Sequence, residues 1–389
     1  MAKLILKRGR DGRIKAGHPW IYRGEVAEVG DWKAGEAVSV LDSQGRFLGR
    51  GFYNPRPSLV CRLLTRRDEP VDAAFFKRRV EAALGFRRAA GLVSDAFRVI
   101  WSEADGLPGL VVDRYASVAV VRCLTLGMTR CRPWIVEALG SLDAVTHHYA
   151  HDEDTAGRLE GFEPLRGWIG EPGPREVEIR EGPCRFVVAV EGGQKTGFYL
   201  DQRENRALVA GLARGRTLLD VFCYSGAFAC QGLAGGATRA VAIESSAEAL
   251  ALARRNLALN GLADGAEVRE GNAFDLLRAM ERSGERFDLI VLDPPPFTRT
   301  KTALEAAARG YKEINLRALR LLKPGGILAT FSCSHHVSPG QFEEICRAAA
   351  ADAGVTVRAL ATLSQSRDHP VLLTVPETRY LKGLLLEVV

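Results

Sequence analysis

The chain has 389 residues, 47% hydrophobic and 26% charged, enough apolar material for two or three globular domains. No apolar run is long enough to span a bilayer, and no apolar core of signal-peptide length follows the basic start MAKLILKRGRDGR; a cytoplasmic protein with no membrane partner is expected. Eight scattered cysteines with no C-x-x-C pair exclude a zinc ribbon or a disulfide framework, and most read as small buried hydrophobes in a reducing compartment.

The net charge of +6 is unevenly placed. Residues 1–70 carry 14 Lys/Arg against 8 Asp/Glu, while the other 319 residues carry 39 of each. A basic N-terminal segment is the footprint of a module that attracts a polyanion such as nucleic acid, although a solvated basic face gives the same count.

Within residues 1–70, short strand-like runs alternate with Gly and Pro turns: EAVSVLD (36–42), FLGRGFYN (47–54) and SLVCRLL (58–64). The only helix candidate there is GHPWIYRGEV (17–26). Residues 71–92 then show apolar positions at helical spacing. Residues 97–190 mix strands (GLVVDRY, SVAVVRCL, CRFVVAVE) with a helix over 132–142, an α+β pattern. His147 and His151 stand four apart, a spacing that holds a metal on a helix; the H-E-x-x-H form is missing and no metal is expected.

From about residue 190 the pattern becomes clean α/β alternation. Strands RTLLDVFC (216–223), RAVAIE (239–244), FDLIVLD (287–293) and GGILATFSC (325–333) alternate with helices starting near 227, 245, 273 and 307. Ser245-x-x-Glu248 reads as a capping box and Gly261 as the stop of its helix. Continuous apolar strands imply a mostly parallel, doubly wound sheet covered on both faces. The tail holds two more strands, 356–363 and 379–389.

Ligands of such a sheet bind beyond the C-terminal strand ends. The first turn holds only Gly226, without G-x-G-x-x-G or G-K-[ST], so the site is not built for phosphates. Glu244 suits ribose hydroxyls, Asp220 a cationic group, and Asn272 with Ala273 an adenine edge. A phosphate-free nucleoside with a ribose fits, namely S-adenosylmethionine; the bland alternative is acidic strand ends that cap helices. Asp293 opens the stiff run DPPPF (293–297), where Phe297 stands one place later than in amine methyltransferases. Cys333, at the next strand end, is a buried thiol if taken alone. Beside Asp293 it suits a nucleophile that adds to carbon 6 of a pyrimidine, making carbon 5 reactive, with Asp293 as the acid. His335 and His336 are candidates to lower the thiol pKa, or plain loop residues.

At this point the motifs resemble a known family. KTGFYLDQRENR (195–206), DVFCYSGAFA (220–229), LDPPPF (292–297), GYKEINLRAL (310–319), FSCSHH (331–336) and DHPV…PE…YLKG (368–383) are similar, as a set, to the bacterial ribosomal RNA large subunit methyltransferase I family. The resemblance implies a PUA-like RNA-binding domain (1–70), a central α+β domain (71–188) and a Rossmann-like class I methyltransferase domain (189–389). It implies formation of 5-methylcytidine in 23S rRNA, with S-adenosylmethionine as cofactor and S-adenosylhomocysteine as product. Cys333 matches the nucleophile and Asp293 the acid, which also borders the cofactor. Asp220, Phe222, Tyr224, Ser225, Gly226, Glu244, Ser245, Asn272 and Ala273 match the cofactor cleft; Tyr199, Asp201 and Arg203 match a segment over the methionine end. The second cysteine that many RNA cytosine-5 methyltransferases carry near D-P-P is missing here. Partners implied are 23S rRNA or the assembling large subunit, and a homodimer is one arrangement the fold allows. The other readings are a uridine-C5, amino or N7-guanine methyltransferase, and a non-catalytic RNA-binding assembly factor.

Overall fold

A computed structural model describes residues 2–28, 32–140, 142, 144–193, 196–297 and 304–389. They divide into two units. One comprises Met1–Val177, Val188–Phe198 and Arg367–Thr378; the other comprises Glu178–Val187, Tyr199–Ser366 and Arg379–Val389.

The first unit opens with six short strands, β1 (Lys3–Leu6), β2 (Trp20–Tyr22), β3 (Val26–Glu28), β4 (Ala37–Leu41), β5 (Phe47–Tyr53) and β6 (Leu59–Thr65), plus a one-turn helix, α1 (Gly12–Lys15). They form one sheet in the order β2-β6-β5-β4-β1-β3 around Leu4, Leu6, Ile21, Val38, Val40 and Val60. The helix expected over 17–26 is not there. Trp20, Ile21 and Tyr22 form β2 and pair antiparallel with β6, Ile21 facing Cys61. Aromatic and β-branched side chains suit a pleat better than a helix.

Helix α2 (Ala73–Ala89) follows, capped by the Asp72 carboxylate, which accepts the Phe75 N–H at 2.9 Å. It covers a sheet of β7 (Ala96–Trp101), β8 (Leu110–Tyr115), β9 (Val118–Cys123), β10 (His147–His151) and β11 (Arg166–Ile169), with helices α3 (Leu126–Arg130), α4 (Arg132–Leu139) and α5 (Asp154–Glu160). His147 and His151 therefore lie on a strand, not a helix. Strand residues four apart share a face but stand about 13 Å apart, too far to share a metal. Among the described residues no group of three or more His, Cys, Asp or Glu is arranged to hold one. A hairpin, β12 (Glu176–Glu181) and β13 (Cys184–Ala189), leads onward.

The second unit alternates helix and strand: α6 (Arg203–Leu212), β14 (Thr217–Val221), α7 (Ala227–Ala234), β15 (Arg239–Glu244), α8 (Ala247–Leu259), β16 (Ala266–Glu270), α9 (Ala273–Ser283), β17 (Phe287–Leu292), α10 (Leu304–Leu321), β18 (Leu322–Ser332), α11 (Pro339–Ala353), β19 (Val357–Ser364) and β20 (Lys382–Val388). The sheet order is β16-β15-β14-β17-β18-β20-β19. The first five strands are parallel and the last two antiparallel to their neighbours. Leu219, Val221, Ile243, Ile290 and Leu292 point into one core with Tyr311 and Ile314 of α10 and Phe342 of α11. Buried parallel strands need apolar residues on both faces, which is why these runs are unbroken in the sequence. Among the described residues no helix is long and apolar enough to cross a membrane.

Candidate active site

The strand order reverses between β14 and β17, the place where a doubly wound sheet opens its crevice. Asp220 lies at the end of β14 and Asp293 follows β17, the Asp293 N–H donating to the Val221 carbonyl at 3.4 Å.

The turn after β14 is strained. Phe222 (φ 65°) and Tyr224 (φ 48°) sit in the left-handed region without being glycines, ahead of Gly226 (φ 73°). Each such residue costs about 1–3 kcal/mol and persists only where its surroundings hold it. Here the Cys223 N–H donates to the Ile243 carbonyl at 2.9 Å and the Tyr224 N–H to the Glu244 carboxylate at 3.2 Å. The Asn256 amide holds the carbonyl of buried Ser225 at 2.9 Å. A side chain at Gly226 would meet Ala253 at 3.1 Å.

The other oxygen of Glu244 accepts the N–H groups of Ser245 (2.7 Å) and Ser246 (3.2 Å) and the Ser245 hydroxyl (3.1 Å). This corrects the expected capping box. Ser245 is engaged by Glu244, and Ser246 caps α8 through the Ala249 N–H. Asn272 caps α9, accepting the Phe274 N–H at 2.9 Å, with Ala273 buried behind it.

Asp220 is buried, 1% exposed. One carboxylate oxygen accepts the Ala229 N–H at 3.0 Å; the other has no hydrogen-bond partner among the described residues. Burial, with the Asp293 and Glu244 charges working against the Ala229 bond, pushes its carboxyl up to about 7.

Tyr199 meets Tyr224 edge-on, ring centres 5.2 Å apart. Burial and then the charges of Asp293, Tyr224, Asp201 and Cys333 drive its hydroxyl far above the usual range, so these groups share one neighbourhood. Asp201 accepts the Tyr380 hydroxyl at 2.5 Å. Arg203 lies 3.9 Å from Glu181, whose carboxylate Arg206 grips with two bonds of 2.6 and 2.7 Å while also donating to the Tyr199 carbonyl at 2.9 Å. Arg206, Glu181 and Tyr380 escaped sequence reading. Arg206 ends the KTGFYLDQRENR run and Tyr380 starts YLKG, so the motifs held them without marking their role. Gln194 and Lys195 of the neighbouring stretch lie outside the described residues.

Of the eight free cysteines, seven are buried and Cys333 alone is partly exposed. Burial pushes the thiols of Cys61, Cys123, Cys131 and Cys346 up to about 12 and that of Cys184 to about 11, so they are inert packing groups. Cys333 donates to the Pro294 carbonyl at 3.8 Å, beside Asp293. His335 is exposed, its ring 6.5 Å from that of Tyr380. Phe297 packs on Tyr311 (4.6 Å), Phe274 (5.9 Å) and Phe222 (6.4 Å), so this aromatic anchors the DPPPF loop in the core.

A family model for a PUA-like domain matches residues 4–66, and one for an S-adenosylmethionine-dependent methyltransferase matches residues 119–362. The chain is 40% identical to a ribosomal RNA large subunit methyltransferase I of Alteromonas mediterranea, over 100% of this chain and 99% of that one. The chain belongs to the ribosomal RNA large subunit methyltransferase I family. A member from Klebsiella pneumoniae is also 40% identical, over 98% of this chain and 97% of its own. The family fold recurs in a SAM-dependent methyltransferase from Streptococcus mutans (19% identity, TM-score 0.85) and in a methyltransferase complexed with SAH (19%, 0.87), each aligned over 100% of both chains.

Members of the methyltransferase family use S-adenosylmethionine, and the residues present fit it. The cofactor carries an ammonium and a sulfonium. A buried Asp220 oxygen without a partner among the described residues, near the Glu244 and Asp293 charges, suits such a cation.

Proposed function

We propose that this protein methylates carbon 5 of a cytosine in 23S rRNA, forming 5-methylcytidine through a covalent bond between Cys333 and carbon 6. The observation that carries the proposal is the setting of Cys333. It is the one partly exposed thiol of eight, and it sits against the carbonyl of Pro294, next to Asp293.

Asp220 and Glu244 would hold the cofactor, with Tyr199, Asp201, Arg203, Phe222, Tyr224, Ser225, Gly226, Ser245, Asn272 and Ala273 around it. S-adenosylmethionine supplies an electrophilic methyl group when bound. Carbon 5 of cytosine is a poor nucleophile in water. The Cys333 thiolate adds to carbon 6, and the electrons of the C5=C6 bond move onto carbon 5. Asp293, hydrogen-bonded to N3 or the amino group, stabilises the charge that develops on the ring. After methylation a base removes the carbon-5 proton, the double bond re-forms and the thiolate leaves. The names of the relatives support an rRNA substrate.

The division into residues 1–70 (RNA binding), 71–188 (central domain) and 189–389 (methyltransferase) belongs to the same proposal, as do the assembling large subunit as substrate, a homodimer and a cytoplasmic location. The test is methyl transfer from labelled S-adenosylmethionine to protein-free 23S rRNA from a strain lacking the gene, followed by mass spectrometry of the nucleosides. Labelled 5-methylcytidine is expected. Labelled 5-methyluridine would change the base and keep the cysteine; label on an exocyclic amine or on guanine N7 would overturn the adduct.

A further inference from the structure

Lys382 opens β20, opposite Ser332 at the end of β18, so it stands one residue across from Cys333. It is 8% exposed. Its ammonium donates to the carbonyls of Ser334 (2.7 Å) and Val337 (2.8 Å), the first immediately after Cys333. An ammonium has three donors, and two are used here. Among the described residues no carboxylate pairs with it. A buried charge is normally paired, because removing it from water without a counter-ion is costly.

We propose that Lys382 is the positioning and charge-supporting residue for Cys333, its ammonium acting as the counter-ion of the thiolate while its two hydrogen bonds fix the loop 333–337. The proposal rests on Cys333 being the nucleophile.

Two tyrosines near the pair stay neutral. From α10, the Tyr311 hydroxyl bonds the Ser334 hydroxyl at 2.9 Å, and burial raises its pKa, keeping it neutral. Tyr199 stays neutral likewise. Tyr380 is bonded to Asp201 and His335 is exposed. Asp293 precedes Pro294, whose carbonyl accepts the Cys333 thiol at 3.8 Å. Lys382 is a buried cation whose strand position faces Ser332, the residue before Cys333, and whose ammonium holds the carbonyl of Ser334, the residue after it. Burial pulls its own pKa down to about 8, and a charge on Cys333 acts in the opposite sense. On ionisation the thiol proton leaves to solvent and Lys382 keeps its own three.

The test is the pH dependence of Cys333 alkylation by iodoacetamide in the full chain, a reaction in which the thiolate displaces iodide. Seven buried cysteines leave one reactive site, and Cys333→Ser gives the blank. Lys382→Gln retains a donor for the carbonyls and removes the charge; Lys382→Met removes both; Lys382→Arg keeps the charge. The midpoint is expected to move up by about one pH unit or more in the Gln and Met variants, lowering the rate at neutral pH about tenfold, and to stay near the parent value with Arg. An unmoved midpoint in folded Lys382→Gln overturns the proposal, whatever the methyl transfer does. Loss of the adduct chemistry itself is read separately, from transfer by Cys333→Ala, so failure of the pairing and failure of the nucleophile are told apart.

Discussion

The thiol of Cys333 donates to the carbonyl of Pro294 at 3.8 Å, which ties the end of β18 to the proline-stiffened loop beyond β17. Cys333 and Asp293, the proposed nucleophile and acid, thus follow directly on the ends of two adjacent parallel strands of one sheet. Replacing the partly exposed thiol by a methyl group disturbs little packing. Cys333→Ala is expected to fold, to bind cofactor and RNA as the parent does, and to lose methyl transfer by about a thousandfold or more. Calorimetric titration and a transfer assay check this, and retained transfer to carbon 5 excludes the covalent route.

Glu244 does two jobs. Its carboxylate faces the expected ribose site and also fastens the N–H of Tyr224 in the strained turn. Glu244→Ala should weaken cofactor binding by about 1–3 kcal/mol through lost hydrogen bonds. Titration calorimetry measures it, and an unchanged dissociation constant removes Glu244 from the site.

Asp220 gives a pH signature. Burial pushes its carboxyl up to about 7 in the folded protein, from the 3.8 usual for an aspartate. Between those values the folded protein holds a proton that the unfolded chain has released, so this group makes stability fall as pH rises from about 4 to about 7. Asp220→Asn should flatten that decline in cofactor-free protein, as urea denaturation at pH 5 and pH 8 would show. Affinity for a cationic cofactor should rise around pH 7, where the folded carboxyl ionises, in the parent and stay low and flat in the variant.

Arg206 and Glu181 form a buried pair with two short bonds. Arg206→Leu strands the Glu181 carboxylate and should cost about 3–5 kcal/mol in urea denaturation, whereas removing both charges together should recover much of the loss. An equal loss in the double variant would mean that packing, not charge, carries the effect.

If residues 1–70 grip RNA phosphates, the logarithm of the affinity should fall linearly with the logarithm of salt concentration, and charge reversal at Arg66 or Arg67 should flatten the slope. A filter-binding series from 50 to 200 mM salt, on the order of the range where such contacts show, reads it directly.

The alternating half of the chain was legible because buried parallel strands leave unbroken apolar runs and the turns between them carry Asp220, Glu244, Asn272 and Asp293 at fixed places. Short elements read less well. Trp20–Tyr22 falls within a stretch that reads as helix in the sequence because three residues show no period, and pairing with β6 makes it a strand. His147 and His151 matched a helical spacing while sitting on a strand, since residues four apart share a face in both. Ser245 and Ser246 are both capping residues by type; the Glu244 carboxylate chose between them. Lys382 and Arg206 could not be singled out, because burial of a charge depends on contacts far along the chain.

The chain passes between its two units five times, at 177/178, 187/188, 198/199, 366/367 and 378/379. Translation delivers residues in order, at about 5–20 per second, so the first unit waits for Arg367–Thr378. That late segment brings Asp368, whose carboxylate accepts the Arg98 N–H at 2.9 Å and whose carbonyl accepts the buried Arg87 at 2.8 Å. A nascent chain stopped before Arg367 therefore has neither unit whole, and Arg87 then has Asp105, Ala83 and Arg98 as partners but not the Asp368 carbonyl. The first unit is finished only once nearly all of the methyltransferase sheet has been made.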